Sequence, residues 1–306
     1  MPFFLKKMLF AAAMTAALVA HAVQPAPAAA GAPVAQPTRF SVVVEGRGPD
    51  VILIPGLTSS RRVFDAAAAS LGGHYRLHRL QIAGFGGEPA RGNAQGDVLA
   101  NVVEELHAYI QTNRLANPAI VGHSIGGLIA LMLAERHPDD AGKLLIVDAL
   151  PYYGALFGAD ATVATVAPRA AQLRDAIMGM SGDGWRQQQE AVMARLAMTE
   201  AARPALLADS LASDRNVVAR AMYEDLTTDV RPGLAAIRAP LTIVYAVNPF
   251  ATEAQYGSLV RAGYASAPGA RLVPVEPSYH FIMLDQPARF NELLGAFLRR
   301  GGRANN

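Results

Sequence analysis

From residue 40 to residue 300, short apolar runs alternate with segments of helical periodicity. Val51–Ile54, Ala119–Val121 and Leu144–Val147 are continuous apolar runs, the pattern of parallel strands covered on both faces. Phe40–Val44, Tyr75–Gln81, Leu241–Tyr245 and Arg271–Val275 read as further strands. Helical patterns lie between them. Ser60 is placed to cap a helix running to about Leu71, and Asp97–Thr112 carries Val98, Val102, Leu106 and Tyr109 at helical spacing. Ile125–Arg136 follows one apolar run directly, and Pro287–Arg300 is a closing helix with proline at its first position. This alternation predicts an α/β fold, a mostly parallel central sheet flanked by helices.

Residues 149–239 break the alternation. They show helical patterns around Ala164–Met178, Trp185–Met198 and Asn216–Leu226 and no convincing strand. They predict a helical cap, or lid, over the carboxyl edge of the sheet, where ligands of open α/β folds bind. Residues 39–148 and 240–300 form the core into which this cap is inserted. Tyr152, Phe157, Trp185 and Met222 of the cap are candidates for an apolar substrate pocket, although helix packing calls for such residues equally. Gly179, Gly182 and Gly184 around Trp185 suit either lid movement or an ordinary helix–helix turn.

The N-terminus reads as a targeting segment. Lys6 and Lys7 precede the uncharged run Met8–Ala20, and Ala20-His21-Ala22 is a small-x-small cleavage site. Residues 1–22 are therefore expected to be a signal peptide, and the alanine- and proline-rich Val23–Thr38 a linker. Export to the periplasm or beyond follows. The apolar run is shorter than the roughly 20 residues of a membrane span, so no stable span is expected after processing. Cleavage after Ala22 removes two of the 27 basic residues and no acid, leaving 25 against 25. That neutrality removes the electrostatic case for a nucleic-acid partner.

The absence of cysteine excludes a disulfide framework and thiolate chemistry. Gly84-Phe85-Gly86-Gly87 lacks the spacing of a dinucleotide fingerprint, and no His-x-x-x-His pattern suggests a metal. No cofactor is expected.

The chemistry concentrates at Gly122-His123-Ser124-Ile125-Gly126, between an apolar strand and a helix. In that context G-x-S-x-G is a nucleophile elbow: a serine on a strained turn, flanked at Gly122 and Gly126 by residues without side chains. A serine needs a base. Of the seven histidines, His21 lies in the leader, His123 within the elbow, His74 and His78 at an early strand, and His107 and His137 in helical contexts. His280 follows the last strand in a loop that can reach the elbow.

With these residues in view, the chain resembles an α/β-hydrolase-fold serine hydrolase over residues 39–300. Ile54-Pro55-Gly56-Leu57 resembles the family's oxyanion loop after its third strand, and Gly84-Phe85-Gly86 its glycine–aromatic–glycine turn after the fourth. The segment from His280 to Pro287 is similar to its histidine-to-final-helix segment. The resemblance implies a helical lid between the sixth and seventh strands, and oxyanion donors at the N–H groups of Leu57 and Ile125. Family members usually carry their acid after the seventh strand, where this chain has Asn248. Some place it after the sixth, where Asp148 stands, and the order Ser124, Asp148, His280 is kept. Asp148 is the candidate acid and Asn248 the alternative, with Asp225, Asp229 and Glu253 as weaker candidates. A strand-end aspartate also suits a backbone cap. The implied reaction is hydrolysis of a hydrophobic acyl or aromatic ester through an acyl-enzyme. Amide, lactone or carbon–carbon bond hydrolysis, and a non-catalytic ligand-binding relative, are the competing readings.

Overall fold

A computed structural model of the chain describes residues 37–301, apart from 159 and 268. The expected signal peptide and the linker up to residue 36 lie outside the described residues. Thr38, assigned to the linker by sequence, is already held. Its N–H and hydroxyl both donate to the Glu105 carboxylate, at 2.7 and 2.5 Å.

Strands β1 (Phe40–Gly46), β2 (Asp50–Ile54), β3 (Arg76–Ile82), β4 (Ala119–His123), β5 (Lys143–Val147), β6 (Leu241–Ala246) and β7 (Arg271–Val275) form one sheet. Its order is β1-β3-β2-β4-β5-β6-β7. Only β1 runs antiparallel, against β3; every other pairing is parallel. The continuous apolar runs became the central strands. β4 is buried along its whole length and β2 from Val51 to Ile54, as strands covered on both faces must be.

The helices that cover these faces follow from their own patterns. After α1 (Asp65–Ser70) come α2 (Leu99–Thr112) and α3 (Ile125–Arg136). α2 turns Leu99, Val102, Val103, Leu106 and Ile110 inward. α3 is apolar on every side and is buried from Ile125 to Ala134, the burial such a helix requires. Ser60 does not cap a helix: its side chain turns to Asp209, and the chain makes a 3-10 turn over Arg61–Phe64 before α1.

Helices α4 (Val163–Gly179), α5 (Gly182–Leu196), α6 (Arg203–Leu211) and α7 (Arg215–Thr227) lie between β5 and β6. Among the seven described strands this helical segment follows the fifth, the strand that the resemblance counts as the sixth. The sequence patterns did not include α6; its Pro204 stands in the helix's first turn, where the missing N–H costs nothing. Gly182 and Gly184 are no hinge loop; they begin α5, and Ser181 caps Gly184. α8 (Ser258–Gly263) joins β6 to β7, while α9 (Ile282–Asp285) and α10 (Pro287–Arg299) follow β7. Among the described residues no helix is long and apolar enough to cross a membrane.

Candidate active site

β2, β4 and β5 are neighbours in the sheet, and their carboxyl ends release Gly56, Ser124 and Asp148 at one edge. Ser124 joins β4 to α3 with φ 55° and ψ −128°, a conformation that costs a non-glycine residue about 1–3 kcal/mol. The surroundings impose it. Ser124 N–H donates to Val147 C=O at 2.9 Å, and its own carbonyl accepts from Gly127 and Leu128. A Cβ on Gly122 would stand 2.3 Å from the Gly126 carbonyl oxygen, and one on Gly126 would stand 2.4 Å from that of Ile54. Both glycines are needed for contact reasons. Gly56 lies against the elbow as well, since its Cβ would meet Ser124 Cβ at 3.1 Å. Among the described residues, neither Leu57 N–H nor Ile125 N–H donates to a backbone acceptor.

His280 Nδ1 lies 2.6 Å from Asp148 Oδ2. Asp148 has φ 46°, and its second oxygen accepts from Ala246 N–H at 2.8 Å, so the carboxylate is fixed from both sides. The His280 carbonyl accepts from His123 Nε2 at 3.1 Å. His123 is fully enclosed, and burial, reinforced by the nearby His280, holds its pKa well below the ordinary imidazole value. It is a neutral structural support for the His280 loop.

Asn248 does not touch His280. Its Oδ1 accepts from the N–H groups of Phe250 and Ala251, and its Nδ2 donates to Ser278 C=O at 2.9 Å. An amide does there what a carboxylate cannot, donating and accepting at once. The weaker acid candidates are elsewhere too: Asp229 pairs with Arg231, and Glu253 with Arg261 and Tyr245. Asp225 makes no hydrogen bond to His280 and lines a cavity instead.

Three tyrosines, to none of which the sequence assigned a place beside Asp148, ring that residue. Tyr153 donates its hydroxyl to the Asp148 carbonyl at 3.0 Å and also interacts with the Ser124 side chain. Burial pushes the phenols of Tyr153, Tyr256 and Tyr264 well above their ordinary value, and the Asp148 charge adds to that. Nothing in the spacing of these residues along the chain marks them.

Ser124 and His280 border two cavities. One, of about 180 Å³, has Leu57, Trp185, Met193, Met222 and Asp225 in its wall. The other, of about 930 Å³, is bordered by Tyr153, Leu156, Arg195, Phe250 and Tyr279. Of the expected pocket residues, Trp185 and Met222 border the smaller cavity. Tyr152 and Phe157 border neither. Tyr152 is buried beside Val166 and Ala170 with the Arg231 guanidinium 4.5 Å from its ring centre, and Phe157 is half-exposed. The reason is a 3-10 turn over Tyr153–Phe157, where positions three apart share a face. Tyr153 and Leu156 occupy the cavity face, one residue inside each expected position.

His107 of α2 gathers with His137 and Asp140, which follow α3, with ligating atoms within 4.8 Å of one another. The two imidazoles are stacked 3.8 Å apart and 9° from parallel, and their nitrogens engage Asp140 and Glu104. In-plane lone pairs on parallel stacked rings cannot converge on one ion, so the donor set does not fit a metal.

The profile of the Alpha/beta hydrolase family matches residues 51–293. Among curated relatives, the pimeloyl-[acyl-carrier protein] methyl ester esterase of Aeromonas hydrophila is 32% identical over 118 residues, 38% of this chain and 44% of the relative. That of Chromobacterium violaceum is 34% identical over 109 residues, 35% of this chain and 40% of the relative. The chain spans less than half the length of these curated relatives. Among solved structures, a hydrolase from Pseudomonas aeruginosa is similar at TM-score 0.71 and 19% identity, over 85% of this chain and 94% of that one. A putative aryl esterase from Burkholderia cenocepacia is similar at TM-score 0.68 and 22% identity, over 85% and 94%.

Proposed function

The chain belongs to the Alpha/beta hydrolase family, and on that premise we propose that it is a serine hydrolase cleaving a carboxylic ester of a hydrophobic acyl or aromatic group. The observation that carries this reading is the His280–Asp148 pair at 2.6 Å, which borders the larger cavity together with the strained Ser124. Asp148 accepts from Nδ1–H of His280, which leaves Nε2 unprotonated as the base. That nitrogen takes the Ser124 proton as Oγ attacks the acyl carbon. The oxyanion is held by the N–H groups of Leu57 and Ile125, donors with no competing backbone partner. His280 then protonates the leaving alcohol, and water repeats the cycle on the acyl-enzyme.

The cavities divide the substrate. The smaller one takes the acyl group, and the larger, with Phe250 and Tyr279 paired edge to face, takes the alcohol side. Relatives named as methyl ester esterases and an aryl esterase support an ester as the bond cleaved. Trp185 and Met193 of α5 and Met222 of α7 in the smaller wall support the reading of residues 149–239 as a cap. The leader-like pattern of residues 1–22 supports export, and N-terminal sequencing of native protein tests it. For the activity, Ser124→Ala is assayed against p-nitrophenyl esters and with a fluorophosphonate probe. Labelling should vanish and turnover fall at least about a thousandfold; turnover at the wild-type rate would overturn the reading.

A further inference from the structure

The smaller cavity is not uniformly apolar. α5 turns Trp185, Gln189 and Met193 inward, positions four apart on one stripe. α7 faces them with Val218, Met222 and Asp225. Within this wall two buried polar groups are left without partners. Trp185 is 5% exposed and its Nε1–H donates to nothing; Asp225 is 9% exposed and makes no hydrogen bond among the described residues. Gln189 stands one helical turn from Trp185, with its Oε1 taken by the Ser210 hydroxyl at 2.7 Å, which leaves its N–H groups for the cavity. Buried polar groups without partners are uncommon in folded proteins and call for an explanation. A cavity beside a candidate nucleophile offers one.

We propose that this cavity is an acyl site selecting a short acyl chain that carries a neutral hydrogen-bond-accepting oxygen, a hydroxyl or a ketone, held by Trp185 and Asp225 with Gln189 beside them. The proposal rests on the serine-hydrolase reading and replaces its hydrophobic acyl group with a short oxygenated one. A cavity of about 150 Å³ holds a benzene ring, so one of about 180 Å³ suits an acyl chain of roughly five to seven non-hydrogen atoms. The polarity of the ligand follows from the donors. Burial pushes the Asp225 carboxyl well above the usual carboxylate range, which favours the protonated, donating form. With Trp185 Nε1–H and the Gln189 amide, the wall presents donors to an acceptor oxygen. A cation would meet the N–H groups of Trp185 and Gln189. A carboxylate would find no lysine or arginine among the described lining residues. A hydrocarbon chain would leave Trp185 and Asp225 unpaired, and a site of that kind rejects the analogue lacking the polar group.

The test compares esters matched in shape: p-nitrophenyl 3-hydroxybutanoate against 3-methylbutanoate, and 4-oxopentanoate against 4-methylpentanoate. In at least one pair the wild-type kcat/KM should favour the oxygenated ester by about tenfold or more. Trp185→Phe and the isosteric Asp225→Leu should bring that ratio to about one, and Asp225→Asn, which keeps a donor, should retain part of it. If Asp225→Leu does not fold, Trp185→Phe and Asp225→Asn carry the comparison. A wild-type ratio at or below one in both pairs overturns the proposal, as does a ratio unchanged in Trp185→Phe and the folded Asp225 variants. Fluorophosphonate labelling of Ser124 is followed in parallel. Labelling without an oxygen preference overturns this proposal alone, whereas absence of labelling overturns the serine-hydrolase reading and this with it.

Discussion

Replacing Asp148 with asparagine tests the proposed chemistry most sharply, because the structure separates its roles. Oδ1 accepts from Ala246 N–H, and asparagine can keep that bond. Oδ2 faces His280 Nδ1 at 2.6 Å, and there asparagine presents N–H to N–H or forces the wrong tautomer. The charge is lost too. Opposite charges centred about 4 Å apart interact by about 4 kcal/mol at an effective dielectric of 20, which sets the scale for an imidazolium stabilised by this carboxylate. That is about three decades in rate, and loss of the correct tautomer takes the expected fall in kcat to roughly a thousand- to ten-thousandfold. Asn248→Ala removes three hydrogen bonds that shape a turn, each contributing about 1 kcal/mol, so it should lower stability while changing kcat by less than about tenfold. Steady-state hydrolysis of p-nitrophenyl butanoate measures the rates, and circular dichroism during urea titration measures the folding. An Asp148→Asn enzyme within tenfold of wild type, or an Asn248→Ala enzyme that falls as far, would refute the assignment of the acid.

Two further outcomes follow from strain and burial. Ser124→Gly removes the Cβ from a backbone held at φ 55°, and should raise unfolding free energy by about 1 kcal/mol or more while abolishing turnover, as read by urea denaturation beside the esterase assay. Asp225 has its pKa raised by burial, so the folded state holds a proton that the unfolded chain releases as pH climbs above the ordinary carboxylate range; its contribution to stability is therefore lost as pH rises towards and through the folded pKa. Urea titrations from pH 4 to pH 9 should show Asp225→Asn gaining stability over wild type with increasing pH, and parallel curves would contradict the buried neutral carboxyl.

What was legible in the sequence was what is local or fully covered. The elbow needs only five consecutive residues and its flanks, and the helix expected over Ile125–Arg136 has those bounds because an all-apolar stretch can go nowhere but the centre. Residues far apart in sequence were harder. His280 could be found by its place after the last strand, but its partner lies 132 positions away and could be named only as one of several carboxylates. The expected pocket residues divide. Trp185 and Met222 sit on long helices whose inward stripe is periodic, whereas Tyr152 and Phe157 flank a single 3-10 turn whose rotation no periodicity fixes. The His107–His137–Asp140 group was invisible for another reason: α2 and the residues after α3 bring it together, with no spacing signature.

The proposed acid's position and the amide at 248 belong to one arrangement. β5 lies between β4 and β6, so a carboxylate at its end stands next to the strand that presents Ser124, and Ser124 N–H is bonded to Val147, the residue before Asp148. His280 has to come from beyond β7, across three strand spacings of about 4.8 Å each, on a loop that must be held out over the sheet edge. Asn248, at the end of the intervening β6, bonds that loop through Ser278 C=O, and Ser278 N–H bonds back to Val247. Holding the loop there calls for a side chain that donates to a carbonyl while accepting from its own turn, and an ionised carboxylate has no proton to donate. With the proposed acid one strand closer to Ser124, the end of β6 is free to carry the residue that supports the proposed base.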